Sequence, residues 1–432
     1  MTVTAPPSAQ TEGAALPRLL AGVGRDLVLG LAGHEREYGT LWLRGPSGTR
    51  RPERFIDIVE AAGLTGRGGS GFPTGRKMRS VAGRGEAVVV ANGAEGEPAS
   101  AKDRLLLSYL PHLVLDGITL AADAVGATEA YLCVHRQEHD LIDGLAAAVA
   151  ERRQAGLDPV PIQVTGIPGR YVSSEQSSIV QYLNGGPAKP TFSPPRTHER
   201  GVAGRPTLVN NVETLAHVAL IARYGDGWFR SAGLPSAPGT ALVTVDGAVW
   251  RPGVYEIELG TSAGEVVMHA GGPTEDLQAL LIGGYSGTWL PVEVAWPVPM
   301  AQASLRAVGA GLGAGILIAL PGSSCGLAET ARVVRYLADE SAGQCGPCLM
   351  GLPALASALA GLAFHGGREG AASAVAALIP LIEGRGACRH PDGAARLAHS
   401  AIRAFAADAC WHDRGGPCDG VRRAPLLPIP GG

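Results

Sequence analysis

The apolar positions change period along the chain. Over residues 55–64 (FIDIVEAAGL) they recur at helical spacing and predict a helix. Residues 86–91 (EAVVVA) form a short β-branched apolar run, the pattern of a strand buried on both faces. The same reading predicts a helix over 113–125, a strand over 131–135, a helix over 141–155 and a strand over 162–165. Strands alternating with helices imply an α/β layer on a parallel sheet. Near residue 240 the pattern shifts. Residues 241–256 read as strand, tight turn, strand; a short helix follows over 262–270, with another strand near Leu280, and 316–320 reads as a last strand or a connector. This predicts a small β-grasp-like module. Beyond Cys325 the period is helical, over 327–340, 352–363, 371–382 and 393–407, which predicts a four-helix bundle with cysteines between its helices. The chain thus divides into a leader and connector (1–50), an α/β domain (51–240), a β-grasp domain (241–322), a helical domain (323–421) and a Pro-rich tail (422–432). The first dozen residues and the tail are expected to lack structure.

Composition narrows the class. Of 432 residues, 46% are hydrophobic, enough for a sizeable core despite 62 glycines and 32 prolines. A net charge of −3 argues against a general nucleic-acid or polybasic membrane binder. The first ten residues carry neither a basic region nor an apolar core, and the apolar stretch around 308–320 is too short and glycine-broken to span a bilayer. A soluble cytoplasmic protein, peripheral to any membrane complex, is the expectation. Seven cysteines, an odd number crowded toward the C-terminal end, suit metal or redox use better than a secreted disulfide framework. Only three lysines stand against 33 arginines, which makes Lys77, Lys102 and Lys189 worth inspecting.

Five segments carry candidate chemistry. The first is Gly66-Arg-Gly-Gly-Ser-Gly-Phe-Pro-Thr-Gly-Arg-Lys77, with five glycines among its first ten residues. Such a run lets backbone N–H groups converge on an anion, and Arg67 and Lys77 add charge. It lacks a Walker A ending and follows a helix rather than a strand, so a phosphate loop and a plain flexible loop both stand. The second, Asn92-Gly-Ala-Glu-Gly-Glu-Pro98, directly follows the buried strand, where parallel sheets bind ligands. Glu95 and Glu97 there can accept from ring N–H groups or ribose hydroxyls, or can belong to a solvated turn. Lys102-Asp-Arg104 reads as a salt-bridged helix start. The third and fourth are Gly169-Arg-Tyr-Val-Ser-Ser-Glu-Gln-Ser177 and Pro206-Thr-Leu-Val-Asn-Asn-Val-Glu-Thr214; Asn210 and Asn211 suit helix capping as well as ligand contact. The fifth is Glu340-Ser-Ala-Gly-Gln-Cys-Gly-Pro-Cys348, with Cys388 forty residues on: a metal or cluster half-site between helices, with a redox pair as the alternative. Cys133, inside a predicted strand, reads as a buried apolar residue.

Taken in order, these segments resemble the NADH-binding flavoprotein subunit of respiratory complex I, the F-subunit family of NADH-quinone oxidoreductase, from about Ile56 to Phe405. The resemblance implies a Rossmann-like flavin domain, an SLBB-type β-grasp domain and a C-terminal four-helix iron–sulfur domain. It implies FMN contacts at Gly66, Arg67, Gly68, Gly69, Lys77, Asn92, Glu95, Tyr171, Glu175, Val209, Asn210, Asn211 and Thr214. Phe72 and Glu97 fall on the NADH side, and Glu95 and Glu97 take the catalytic positions that orient the donor or tune the flavin. An iron–sulfur cluster, [4Fe–4S] or [3Fe–4S], falls on Cys345, Cys348 and Cys388. NAD(H) is the implied donor. A ferredoxin-like or thioredoxin-like iron–sulfur subunit and further redox subunits are the implied partners.

The chain departs from the family at named positions. An Asp on the FMN side is Ala94. On the NADH side, a Glu is Gln176, a Gly is Ser174, a Lys is Ser193, and two aromatics are Ser80 and Arg196. The first cluster cysteine is Ala342, which leaves His390, Cys325, Cys410 or Cys418 as a fourth ligand and zinc as a competing metal. The reading is electron transfer from a hydride donor through FMN to a cluster and a redox partner. Its alternatives are a flavoprotein reduced by a ferredoxin-like partner and a non-catalytic scaffold.

Overall fold

The computed structural model describes residues 16–23, 28–41, 52–366 and 369–430. The expectation about the first dozen residues lies outside them. Four parallel strands, β1 (Ala87–Asn92), β2 (Ala127–His135), β3 (Ile162–Ile167) and β4 (Thr207–Asn211), form a sheet in the order β3-β2-β1-β4. The expected helices lie between them, at Pro111–Val125 and His139–Gln154. The first of these starts with Pro111 and stops at Gly126, whose φ of 69° satisfies the left-handed cap. β1 is buried on both faces. Its Ala87, Val89 and Ala91 enter one apolar core, and Val88 and Val90 enter another. The chain leaves β1 toward β2 and β3 on one side, while β4 lies on the other. Asn92 pairs in register with Asn211, so the strand order reverses where the second and fourth motifs meet. The helix Val212–Arg230 springs directly from β4, capped by the Asn211 side chain, which accepts from the Glu213 N–H at 3.0 Å.

After a two-stranded ribbon, β5 (Gly233–Leu234) with β6 (Ala237–Pro238), comes a mixed sheet. Its strands β7 (Thr240–Gly247), β8 (Gly253–Glu258), β9 (Leu277–Ile282), β10 (Thr288–Pro291) and β11 (Ile316–Pro321) run in the order β10-β9-β11-β7-β8. Only β11 and β7 pair in parallel. β11 is buried on both faces. Leu317 and Ala319 pack with the short helix Ala263–His269, which is closed by a Ser262–Glu265 capping box. Ile316, Ile318 and Leu320 pack against the C-terminal helices.

Those helices are Gly326–Asp339, Leu352–Ala360, Ala371–Ile382 and His390–Ala404. A fifth, Ala406–Gly415, follows a break at Phe405, so the single expected helix over 393–407 is two. Pro347–His365, with π-helical turns at both ends, is long and apolar enough to cross a membrane by length and composition. Its Leu352, Leu355, Leu359 and Leu362 are fully buried in the bundle core.

Two expectations about the ends change. The connector contains a helix, Leu31–Tyr38, and the N–H groups of Arg18, Leu19 and Leu20 all donate to the buried Glu256 carboxylate. The Pro-rich tail has no long regular element, yet it is packed. Leu427 is buried, the Leu426 and Leu427 N–H groups each donate to Glu329 at 3.0 Å, and the Tyr285 hydroxyl donates to the Pro428 carbonyl. Proline removed the helical and strand signal there, but apolar residues between the prolines still found a core.

Candidate functional site

A cavity of ≈ 1010 Å³ opens at the carboxyl ends of β1 and β4. The first four motifs meet there, and Cys388, the distant cysteine of the fifth, lines it as well. The glycine-rich segment leaves the helix Pro52–Ala62 and forms one wall with Gly66, Gly68 and Gly69. A Cβ on Gly68 would stand 3.1 Å from the Asn211 Cβ, so this backbone lies against β4 as a bare surface. Gly69, at a φ of 109°, bridges to Gly313 beside the mixed sheet. Arg67 has a different part from the one its charge suggested. Its side chain turns inward, donates to the Thr65 and Thr240 carbonyls and faces Glu213, while its N–H donates to Thr214 Oγ1 at 2.9 Å. Arg67 borders the cavity, with its guanidinium engaged by these backbone carbonyls.

Lys77 lines the pocket beside β4. Its ammonium donates to Gln176 Oε1 at 2.9 Å and to the Val209 carbonyl. Burial lowers its pKa to about 8, against the pull of Glu175. Asn210, 5% exposed, leaves its Nδ2 without any partner. A buried amide donor without an acceptor costs roughly 1–3 kcal/mol, so this group calls for a ligand. Asn92 sits opposite, donating to the Ser174 carbonyl at 2.8 Å and accepting from the Ala94 N–H. Lys102 opens a helix, Lys102–Tyr109, in a buried pairing with Asp103 and Glu213, as its sequence context implied.

The three acidic candidates are each held. Glu95 accepts from the Asp103 and Arg104 N–H groups and from the Ser100 hydroxyl, which caps that helix. Glu97 accepts from the Tyr171 hydroxyl at 2.9 Å and from the Tyr285 N–H at 3.0 Å, so it joins the α/β layer to the mixed sheet. Burial raises both carboxyls to about 7, with Asp103 adding to the effect at Glu95. Glu175 caps the helix Gln176–Leu183 through the Ser177 and Ser178 N–H groups. Tyr171, half-buried, contributes its hydroxyl to Glu97 and Ser286, and burial raises its pKa.

A second cavity of ≈ 1150 Å³ adjoins the first and shares Glu175, Gln176, Cys388 and Arg389 with it. Ser193 and Arg196 line it, on the segment before β4. Gln176 does not project freely; its Nε2 donates to Thr197 Oγ1 at 2.6 Å and its Oε1 holds Lys77. Ser80 closes the helix Thr74–Arg79 by donating to the Lys77 carbonyl. Phe72 is 48% exposed at the inner cavity. Phe192, 73% exposed, stands in the outer one, and sequence reading overlooked it. Ser286, Gln302 and Arg306 of the mixed-sheet region were also overlooked; the glycines at 283, 284 and 287 were the available signal.

Cys348 is buried, Cys345 and Cys388 partly so. The Cys345 thiol lies within hydrogen-bonding reach of Cys348, whose pKa burial pushes up to about 11. A single tetrahedral ion needs its sulfurs about 3.8 Å apart. Among the described residues, the one group of three donors gathered within 4.8 Å lies elsewhere, so Cys345, Cys348 and Cys388 do not all stand within that distance of one another. Three thiolates suit a multinuclear cluster as ligands. Ala342 is buried and accepts from Lys189 Nζ at 2.8 Å through its carbonyl. His390 is buried, its Nε2 bonded to the Leu337 carbonyl at 2.7 Å and its Nδ1 unpartnered. Cys325 lies at the far end of the helix Gly326–Asp339, about 21 Å away along its axis, with Cys418 beside it. Cys410, exposed on Ala406–Gly415, belongs to that end as well. Cys133 is fully buried in β2, as expected.

Three family models match this chain. The Nuo51 FMN-binding domain covers residues 59–220, the SLBB domain 242–284, and the NADH-ubiquinone oxidoreductase-F iron-sulfur binding region 328–412. The NADH-quinone oxidoreductase F subunit 2 of Rhizobium meliloti (strain 1021) is 33% identical, over 88% of this chain and 94% of its own length. The NADH-quinone oxidoreductase F subunit of Escherichia coli (strain K12) is also 33% identical, over 82% and 83%. A chain in the crystal structure of an NAD+-reducing [NiFe]-hydrogenase in the H2-reduced state superposes with a TM-score of 0.77 at 31% identity, over 82% of this chain and 61% of that one. This chain therefore spans about three fifths of the hydrogenase chain. The FMN-binding and iron–sulfur regions fall on the two sites just described, and with relatives matched over most of their length the chain belongs to the F-subunit family of NADH-quinone oxidoreductase, a family of oxidoreductases.

Proposed function

We propose that this chain moves electrons from a nicotinamide dinucleotide to a one-electron redox partner, with FMN in the inner cavity and a cluster on Cys345, Cys348 and Cys388. The observation that carries the reading is Cys388, which lines both cavities. A ligand of the electron outlet thus borders the pocket where a flavin and its donor would meet. FMN and a cluster, when bound, supply the conversion of hydride transfer into single-electron steps.

The residues fit those groups. The backbone of Gly66, Gly68 and Gly69 leaves room for close approach of a flat or anionic group, and Lys77 supplies the cation. Asn210 offers its unpartnered amide. Asn92, Val209, Asn211 and Thr214 complete the floor at the strand ends. Glu97, near neutrality in pKa, can hold or release a proton at the donor while Tyr171 and Tyr285 fix its position. Glu95 shapes the same loop from behind. Phe72 and Phe192 mark where rings of a dinucleotide would pack, with Arg196 and Arg389 for its phosphates. Ala342 leaves three cysteines, which would hold a [3Fe–4S] cluster or a [4Fe–4S] cluster completed by another group, and His390, two residues after Cys388, has an unpartnered Nδ1.

The partner would be an iron–sulfur protein of ferredoxin-like or thioredoxin-like type. Leu349 and Met350, directly after Cys348, are 60% and 76% exposed and offer it an apolar landing next to the cluster. Catalytic transfer from NADH to a soluble one-electron acceptor, compared between the wild type and Cys388→Ser in a protein loaded with FMN, tests the reading. A flavin reduced by NADH with transfer impaired in the variant supports it. A protein that binds FMN but is never reduced by NADH overturns the choice of donor, and one that binds no FMN overturns the whole.

A further inference from the structure

A second metal-binding group lies outside the electron path. Cys325, His412 and Cys418 bring their Sγ, Nε2 and Sγ atoms within 4.8 Å of one another. Cys325 sits at the N-cap of the helix Gly326–Asp339, His412 in the helix Ala406–Gly415, and Cys418 just beyond it. Two pieces of backbone, distant in sequence, therefore converge on one point. His412 is fully buried and Cys325 is 1% exposed.

The histidine holds the tautomer that a ligand would need, with Nε2 now bonded to the Cys418 N–H that a metal would displace. Its Nδ1 faces the Leu362 carbonyl at 3.2 Å, a group that can only accept, so Nδ1 carries the proton. Its Nε2 accepts from the Cys418 N–H at 3.0 Å, so the lone pair is on Nε2. That lone pair lies 3.9 Å from Cys325 Sγ. A carbonyl fixing the outer nitrogen while the inner one faces the metal is the usual support of a metal-bound histidine. In a tetrahedral zinc site with Zn–S about 2.3 Å and Zn–N about 2.0 Å, sulfur and nitrogen stand about 3.6 Å apart, close to what is present.

We propose that Cys325, His412 and Cys418 bind one zinc ion, separate from the iron–sulfur ligands, that staples the C-terminal segment to the helical domain. Binding releases two thiol protons, so two thiolates balance the charge of Zn2+ and the neutral imidazole completes three protein ligands. The fourth position falls to water or another small ligand. What the ion fastens reaches the active region. The segment after Cys418 runs over Glu329 to Pro428, whose carbonyl accepts from the Tyr285 hydroxyl, and the Tyr285 N–H holds Glu97.

The test is the metal content of the full chain, made with its flavin and cluster in medium containing zinc and iron. About one zinc per chain is expected. Cys418→Ser and His412→Ala are each expected to lower it at least about tenfold, with flavin absorption on the same samples reporting that the fold has formed. For a readout independent of variants, anaerobic wild type is alkylated before and after a zinc chelator. Cys325 and Cys418 are expected to be protected before and labelled after. Zinc retained in both variants, iron in place of zinc at these residues, or recovery of Cys325 and Cys418 as a disulfide would each overturn the proposal.

Discussion

The two cavities that meet at Gln176 and Cys388 are built in different ways. The inner one draws on the ends of β1 and β4, the glycine-rich segment, the Tyr171 turn and the loops of the mixed sheet. Its polar groups are buried, capped or paired across those elements. The outer one is walled mainly by residues 175–204 and 384–389, most of them exposed. Departures from the family fall in both: Ala94 and Ser174 line the first, Ser193 and Arg196 the second, and Gln176 borders both. A site made by many elements resists drift, because each change there disturbs a helix cap or a buried pair. A site made largely by one exposed segment tolerates change at less cost to the fold. The comparison implies tight flavin binding and weaker, more tunable dinucleotide binding.

The largest effect expected is at the boundary between them. Cys388→Ser should abolish the broad iron–sulfur absorption and the paramagnetic signal of the reduced cluster while flavin remains bound. Retention of both signals would remove Cys388 from the ligand set.

Next comes the inner cavity. Lys77→Met should weaken FMN binding to the flavin-free protein by about 10- to 100-fold, the worth of one charge-assisted bond. The wild type should also show a pH dependence. Lys77 is charged below about 8, so affinity is full there and falls as pH rises beyond it, whereas the Met variant is flat in that range. Titration by fluorescence quenching reads both. Equal affinities at pH 7 would show that the phosphate sits elsewhere.

Glu97 ties the inner cavity to the mixed sheet. Its carboxyl is raised to about 7, so the folded chain keeps a proton that the unfolded chain releases above about 4.5. Stability from this group therefore declines as pH rises from about 4.5 to 7. Glu97→Gln should remove part of that slope, about 1–3 kcal/mol across the window, read from denaturant midpoints at pH 5 and 7. Parallel slopes in the two proteins would place the titration on another group.

The smallest effect belongs to the outer cavity. Phe192→Ala should raise the KM for NADH about two- to tenfold, the range of one aromatic contact, and leave flavin affinity untouched. An unchanged KM would put the dinucleotide outside this cavity.

The sequence carried much of this in its order. The β-branched run at β1 and the polar residues after it located the crevice, because a buried strand must end at a loop and parallel sheets bind ligands there. What it could not show was direction. Arg67 looked like a phosphate contact by composition, but Glu213, almost 150 residues away, draws its guanidinium inward. Glu95 and Glu175 stood out as acids, yet each also caps a helix, a role set by where the next helix begins. Phe192 lay unnoticed in a Pro-rich segment with no periodicity. The Cys325, His412 and Cys418 group was equally hidden, since its members are spread over more than 90 residues and no local spacing announces it.

The central claim is that this chain passes electrons from NADH through a flavin to a cluster. An anaerobic visible spectrum of freshly purified protein, recorded before and after NADH, tests it most directly. The account predicts flavin bands on a broad iron–sulfur shoulder, both bleached by NADH. Bands bleached by dithionite but untouched by NADH would contradict the donor, and a colourless protein would contradict the electron-transfer reading itself.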